Sequence, residues 1–408
     1  MRRCAALVIV LSLSVVMAPA SYAAPVRWTQ NAGNAVHGVA AAPDGGVYVT
    51  GERLDGPTRE ATLIKYGPNG GRWWTRSWRP RPAATTRGIA VAVAPDGTVY
   101  LLGSAWKGKE GGGWFIRSYS PSGDLRSTYL TPGWDAGLLE TVADIAVGDS
   151  QVVVAGWEGS ASTEVGLRGW VRSFSPTLSA TWTSFLETPA SIPSAYWDRA
   201  TGAAIGASGD IFVAGWAATE APMWGMTGTP AGTVVLEKLD PDGRVAWSRR
   251  PGKAMYGIHG VASISVRAGR VMVVAPVGGL GAPFFALDDG LSKAWLARFT
   301  TDGTLVWARV WGRATRHAAD PTHVFIGPSL YTWVVGARWD HRTRTAAAFL
   351  RVFGPDGRRV RSVLLDPRIP FTHATDVVAL PGGGVVTGYT TDKYASHGHV
   401  GKVWRLAG

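Results

Sequence analysis

Cysteine is almost missing from this 408-residue chain, and the single one, Cys4, sits at its very start. Met1-Arg2-Arg3, the apolar run Ala5 to Met17 and the small-residue segment Ala18 to Ala23 read as a secretory signal peptide over residues 1–23, cut after Ala23. A lipoprotein anchor would need a cysteine after the apolar run, and Cys4 precedes it. The mature chain, residues 24–408, then has no disulfide, no thiolate metal site and no cysteine nucleophile. The protein is expected to be secreted and extracellular. Later apolar runs are short and broken by glycine, so no membrane span is expected. No stretch carries the 3.6-residue apolar period of a long helix, which favours an all-β chain. Net charge is +12, yet no dense Lys/Arg run marks a nucleic-acid footprint. Also missing are a serine nucleophile elbow, a paired-histidine zinc motif, a phosphate loop and a dinucleotide fingerprint. No cofactor and no metal site follow from the sequence.

What the chain has in excess is Gly 53, Pro 25 and Trp 20. They fall in a repeat. From Gly38 to Trp78 the chain reads GVAAAPDGGVYVTG, a polar loop, then ATLIKYGPNGGRWWTRSW, which is four short strands. Proline presets one turn dihedral and glycine accepts the positive one. Later copies include IAVAVAPDGTVYLLG with WFIRSYSPSGDLRSTYL, and AAIGASGDIFVAGW with VVLEKLDPDGRVAWSRR. The seventh copy, DVVALPGGGVVTGY with HVGKVWRL, lacks a fourth strand, and Val26 to Gln30 has the fourth-strand pattern of Trp73-Trp74-Thr75-Arg76. The expected architecture is therefore one all-β domain, a seven-bladed β-propeller of four-stranded antiparallel blades, with residues 26–30 completing the last blade. Such closure removes exposed sheet edges. The reading expects a monomer.

The blade pattern is a first strand, a D-G turn, V-Y-V-x-G, a loop, then K-x-x-P-D-G-x-x-x-W. It is clearest at Lys238 to Trp247 and Arg298 to Trp307. It resembles the SBBP-type seven-bladed β-propeller repeat of secreted bacterial proteins, over nearly all of the mature chain. That resemblance implies a fold and carries no reaction, since propellers host many functions.

Function is expected on the long connections, from second to third and from fourth to first strands. Extra length falls at 187–199, 217–229 and 277–292, which builds up one sector of that face. Aromatic and charged residues gather there and at related places in other repeats: Trp106, Trp134, Trp157, Trp197, Asp198, Arg199, Trp216, Trp224, Trp339, Asp340 and Tyr389. Trp beside a carboxylate and a guanidinium suits sugar rings or a protein hot spot. The first functional reading is a non-enzymatic binding propeller for a glycan, cell-wall polymer or extracellular protein. The second is a lyase or hydrolase at the mouth of the central channel. Arg87, His259 and His373 precede their first strands at matching offsets, with His37 close to that place in the first repeat. Convergent His and Arg can bind an anion or supply a general base. The pair His397 and His399 is too short a signal to name a metal site. A purely structural scaffold is the third reading.

Overall fold

The computed structural model describes residues 26–80, 85–107, 112–132, 139–159, 167–186, 198–218, 232–252, 254–255, 262–277, 293–312, 317–340, 342–391 and 399–407. The expected leader lies outside them, as do Trp134, Trp197, Trp224 and His259.

All regular structure among these residues is strand. Ala35–Ala41, Val47–Asp55, Thr58–Tyr66 and Arg72–Trp78 pair antiparallel in chain order. Thr85–Val93, Val99–Trp106, Gly112–Tyr119 and Leu125–Leu130 repeat the pattern. So do the strands between Leu139 and Phe185, Asp198 and Arg249, Ser263 and Trp311, and His317 and Leu365. The last group, Phe371–Leu380, Gly383–Thr391 and Val400–Ala407, takes its fourth strand from the other end of the chain. Val26–Asn31 runs antiparallel to Val400–Ala407, with Thr29 opposite Trp404 and Gln30 opposite Val403.

First strands lie beside one another in chain order, and Phe371–Leu380 lies beside Ala35–Ala41. Side chains stitch these neighbours together. Thr201 Oγ1 donates to Ala262 O at 2.8 Å, and Thr322 Oγ1 to Ala374 O at 2.8 Å. Thr375 Oγ1 donates to Val36 O at 2.9 Å, and Asp376 Oδ2 accepts from Val39 N at 2.8 Å, so the last group is joined to the first.

Six first strands carry a β-bulge at one place, where the extra residue is His37, Ile89, Ala143, Thr201, Thr322 or Thr375. Opposite each bulge stands the glycine that ends the V-Y-V-x-G pattern. A Cβ on Gly51, Gly103, Gly156, Gly215, Gly336 or Gly388 would run into a first-strand carbonyl oxygen. The bulge tips that carbonyl inward, so only glycine fits. Ser263–Arg267 stays in register with its partner, and there the sequence has Ala275 instead. Gly388→Ala is expected to cost about 1–3 kcal/mol through overpacking; thermal denaturation checks it, and an unchanged melting temperature would contradict the bulge account.

The G-x-x-x-W pattern has a second cause. In five groups one fourth-strand indole lies on the third-to-fourth turn of the next group: Trp28 on Gly70, Trp74 on Gly123, Trp182 on Gly243, Trp247 on Gly303 and Trp307 on Gly357. These turn glycines have φ of 82°, 88°, 84°, 85° and 76°, and a flat ring covers them only because no Cβ projects. Trp28, Trp74 and Trp182 Nε1 donate to Pro68, Pro121 and Pro241 O at 3.1, 3.3 and 3.0 Å. Trp28 belongs to the N-terminal strand, so it fastens the last group to the first.

Candidate active site where the inner strands open

The residue just before each bulge and the residue just after each second-strand glycine face each other across one pair of strands. Arg87 is opposite Ser104, Thr141 opposite Trp157, Arg199 opposite Trp216, Asp320 opposite Ala337 and His373 opposite Tyr389. In the first group the pair is Ala35 and Glu52, with His37 on the bulge itself. All lie at the strand ends that lead into the second-to-third and fourth-to-first connections.

Glu52 anchors one cluster. Its carboxylate is 4% exposed; it is ion-paired with Arg59 from its own sheet and with Arg87 Nε, at 2.8 Å, from the next. Arg87 itself is half exposed. His37 sits within the field of Glu52, Arg87, His399 and Arg59. Burial lowers the His37 imidazole below its ordinary 6.5; Glu52 opposes, while Arg87, His399 and Arg59 push it further down. It is therefore neutral near neutral pH.

Beside it, His373 stacks on Tyr389 at 5.1 Å and 15°, and His399 meets the other side of Tyr389 edge-on at 5.1 Å and 77°. Burial, with a further push from Asp320, raises the Tyr389 phenol, which stays protonated as a donor. His399 Nδ1 is buried without a hydrogen-bond partner among the described residues. His37 and Arg87 thus meet at Glu52 with Arg59, His373 stacks on Tyr389, and His399 links the two groups, touching Tyr389 and acting on His37 through its charge. Glu52 and Arg59 escaped the sequence reading; the position after Gly51 would have flagged Glu52 once the bulge was known.

The aromatic set fares differently. Trp106, Trp157, Trp216, Trp339 and Tyr389 lie inside second strands, not on loops, because those strands continue past the glycine. Trp216 is 1% exposed and packs in the core with Phe212 and Trp295, so it does not face a ligand. Asp198 is likewise 1% exposed. Trp339 packs on Phe371 at 5.9 Å, and Trp106 covers Gly112. Asp340 caps its own turn, accepting from Arg342 N and Thr343 N at 3.0 and 3.3 Å. Trp157 remains partly exposed, with the Arg199 guanidinium 5.0 Å above its ring.

No family model matches the chain, and no curated protein matches it in sequence. Solved structures do resemble it in shape. Drosophila Semaphorin 1b, extracellular domains 1-2, aligns with TM-score 0.54 and 11% identity over 95% of this chain and 88% of that one. Polysaccharide lyase Uly1 aligns with TM-score 0.52 and 10% identity over 92% and 90%. A protein of unknown function from Dyadobacter fermentans DSM 18053 aligns with TM-score 0.51 and 11% identity over 93% and 99%. The fold is all-β and propeller-like. At such identities the likeness extends to the fold alone.

One step beyond three of the bulges the inner strands place Asp144, His323 and Asp376, and Ser263, on the strand without a bulge, joins them. His323 Nε2 is 3.1 Å from Asp376 Oδ1, and its Nδ1 is 3.3 Å from Ser263 Oγ. Burial raises Asp144 to about 6, against the field of His323 and with that of Asp376. Burial raises Asp376 too, with His323 opposing. Raised carboxyl pKa values favour the protonated folded state, so this contribution is present at low pH and lost as pH rises toward 7. His37, with its lowered value, contributes the opposite slope below 6.5. A comparison with Asp144→Asn reads the carboxyl: the melting temperature of the variant relative to wild type should rise as pH goes from about 4 to 7. A pH-independent difference would contradict this.

Proposed function

We propose that this chain is a secreted seven-bladed propeller, of the SBBP-like repeat type, whose mouth cleaves an acidic polysaccharide by β-elimination. The observation that carries the reading is the His37 imidazole set among Arg59, Arg87, Glu52 and His399, with the His399 ring in turn edge-on to the Tyr389 phenol. Ring closure is supported by the shared sheet of Val26–Asn31 with Val400–Ala407, and by the Thr375–Val36 and Asp376–Val39 hydrogen bonds. Polysaccharide cleavage is a reaction class found on a similar fold, that of polysaccharide lyase Uly1.

In the proposed step, a uronate carboxylate meets Arg87 and Arg59, whose charge makes the neighbouring carbon acid easier to ionise. His37 takes the proton from the carbon next to the carboxylate. The electron pair forms a carbon–carbon double bond as the bond to the glycosidic oxygen breaks, and that oxygen receives a proton from Tyr389. Glu52 holds the two arginines, and His373 fixes the plane of the Tyr389 ring.

Binding without cleavage is the second reading, favoured by the partly exposed Trp157 beneath Arg199. Mass analysis of polyuronate incubated with the protein separates the two. Unsaturated ends support elimination and hydrated ends indicate hydrolysis. Retention that is lost in Trp157→Ala with no cleavage product supports binding. Neither products nor retention would overturn both.

A further inference from the structure

Far from the mouth, on the outer edge between Leu305–Trp311 and the sheet of Thr345–Phe353 and Arg359–Leu365, runs an open groove. It carries Arg309, Arg351, Arg358 and Arg359 against a wall of Trp311 and Phe353. The rings lie 5.4 Å apart, and the Arg351 guanidinium sits 4.9 Å over Trp311. Arg309 Nε is fixed by Gly357 O at 3.2 Å.

Two features of this groove point to a missing partner. The first is charge. Among the described residues its only carboxylate neighbour is Asp356, 3.8 Å from the highly exposed Arg358. Three third-strand basic residues elsewhere are neutralised, Lys65 by Asp44 at 2.5 Å, Arg172 by Glu140 at 3.4 Å and Lys238 by Asp210 at 2.9 Å, whereas Arg298 bonds only to a carbonyl, Pro355 O at 3.2 Å, among the described residues. Arg351 meets no carboxylate. Burial, then Arg359 and Arg338, pushes its guanidinium down to about 10, as expected where cations crowd without an anion. The second feature is an aromatic surface beside the charge: the Trp311 ring is only partly buried and lines the groove next to the arginines.

We infer that this groove is a binding site for an anionic polysaccharide chain, separate from the mouth and independent of the chemistry proposed there. Guanidinium groups take carboxylate or sulfate through paired N–H donors. The Trp311 ring offers apolar surface to a sugar. A single-stranded nucleic acid would instead use successive aromatic platforms for its bases, and the groove has one short wall.

The test uses the whole secreted chain with Arg358→Ser/Arg359→Ser, two substitutions at exposed positions. The control is Arg126→Ser/Arg244→Ser, an equal charge change elsewhere, at side chains 48% and 80% exposed. Binding is measured to dextran sulfate, polygalacturonate, neutral dextran and double-stranded DNA across a salt series. The groove variant should lose at least tenfold in affinity for one or both anionic glycans. Its salt dependence should become shallower by about 0.7–0.9 for each arginine lost from the contact. Loss confined to dextran sulfate identifies sulfate, and loss confined to polygalacturonate identifies carboxylate. Neutral dextran should not bind. Equal loss in the control variant, unchanged affinity in the groove variant, or DNA bound as tightly and lost in parallel would overturn the inference.

Discussion

Under the proposed elimination, His37→Ala should lower kcat/KM on an acidic polysaccharide by about 10²–10⁴-fold, the range for removing a positioned general base, and leave the melting temperature close to wild type. The bulge itself should survive, because the equivalent bulge in the third group is already an alanine, Ala143. The pH profile gives the sharper readout. Elimination needs the neutral imidazole, and burial with the nearby arginines holds its pKa below 6.5. The acidic limb of kcat/KM should therefore fall to half below pH 6.5. Removing Arg87 takes away a charge that lowers the value, so residual activity in Arg87→Ala should have its limb moved to higher pH. Glu52→Gln removes a charge that raises it and should move the limb to lower pH. Limbs that do not move, or move in the same direction, would remove His37 from the role of base.

Deleting residues 24–31 should abolish cooperative unfolding and leave most of the protein insoluble. The deletion removes a whole fourth strand, the Gln30 Nε2 bond to Gly70 O at 3.0 Å and the Lys402–Asn31 bond at 2.9 Å. It also exposes the edge of Val400–Ala407, a template for aggregation. Trp28→Ala is the graded version. Its indole is partly exposed, so the cost is about 2 kcal/mol, less than the roughly 3–5 kcal/mol of a fully buried tryptophan. Val26, 44% exposed in the same strand, should be replaceable by alanine within about 0.5 kcal/mol. Equilibrium denaturation of the three proteins orders these effects. A truncated chain that unfolds like wild type would show that the shared sheet does not hold the two ends together.

Much of the scaffold was legible because turn chemistry is local. Pro43-Asp44-Gly45 announces itself, and Asp44 Oδ1 indeed accepts from Gly46 N at 3.0 Å. The fourth-strand match between Val26 to Gln30 and later tryptophans is also a local pattern, although its partner strand lies at the other end of the chain. The bulges were not legible, since His37, Ile89, Ala143 and Thr201 share no side-chain chemistry. The second strands also continue past their glycines, which is why aromatic residues assigned to loops stand in strands. Trp157 and Trp216 follow equivalent glycines, yet one is partly exposed under Arg199 and the other is core. That difference belongs to the neighbouring sheet and is invisible along the chain. Glu52 was overlooked for the same reason, because a lone glutamate gains meaning only when Arg87 arrives from the next repeat.

Proton abstraction by the mouth cluster is tested most directly by a kinetic isotope effect. A uronate oligosaccharide carrying deuterium on the carbon next to its carboxylate should react several-fold more slowly than its protonated counterpart with the wild-type protein. Equal rates for the two substrates, in a reaction that still yields the unsaturated product at a rate set by chemistry, would contradict the role assigned to His37.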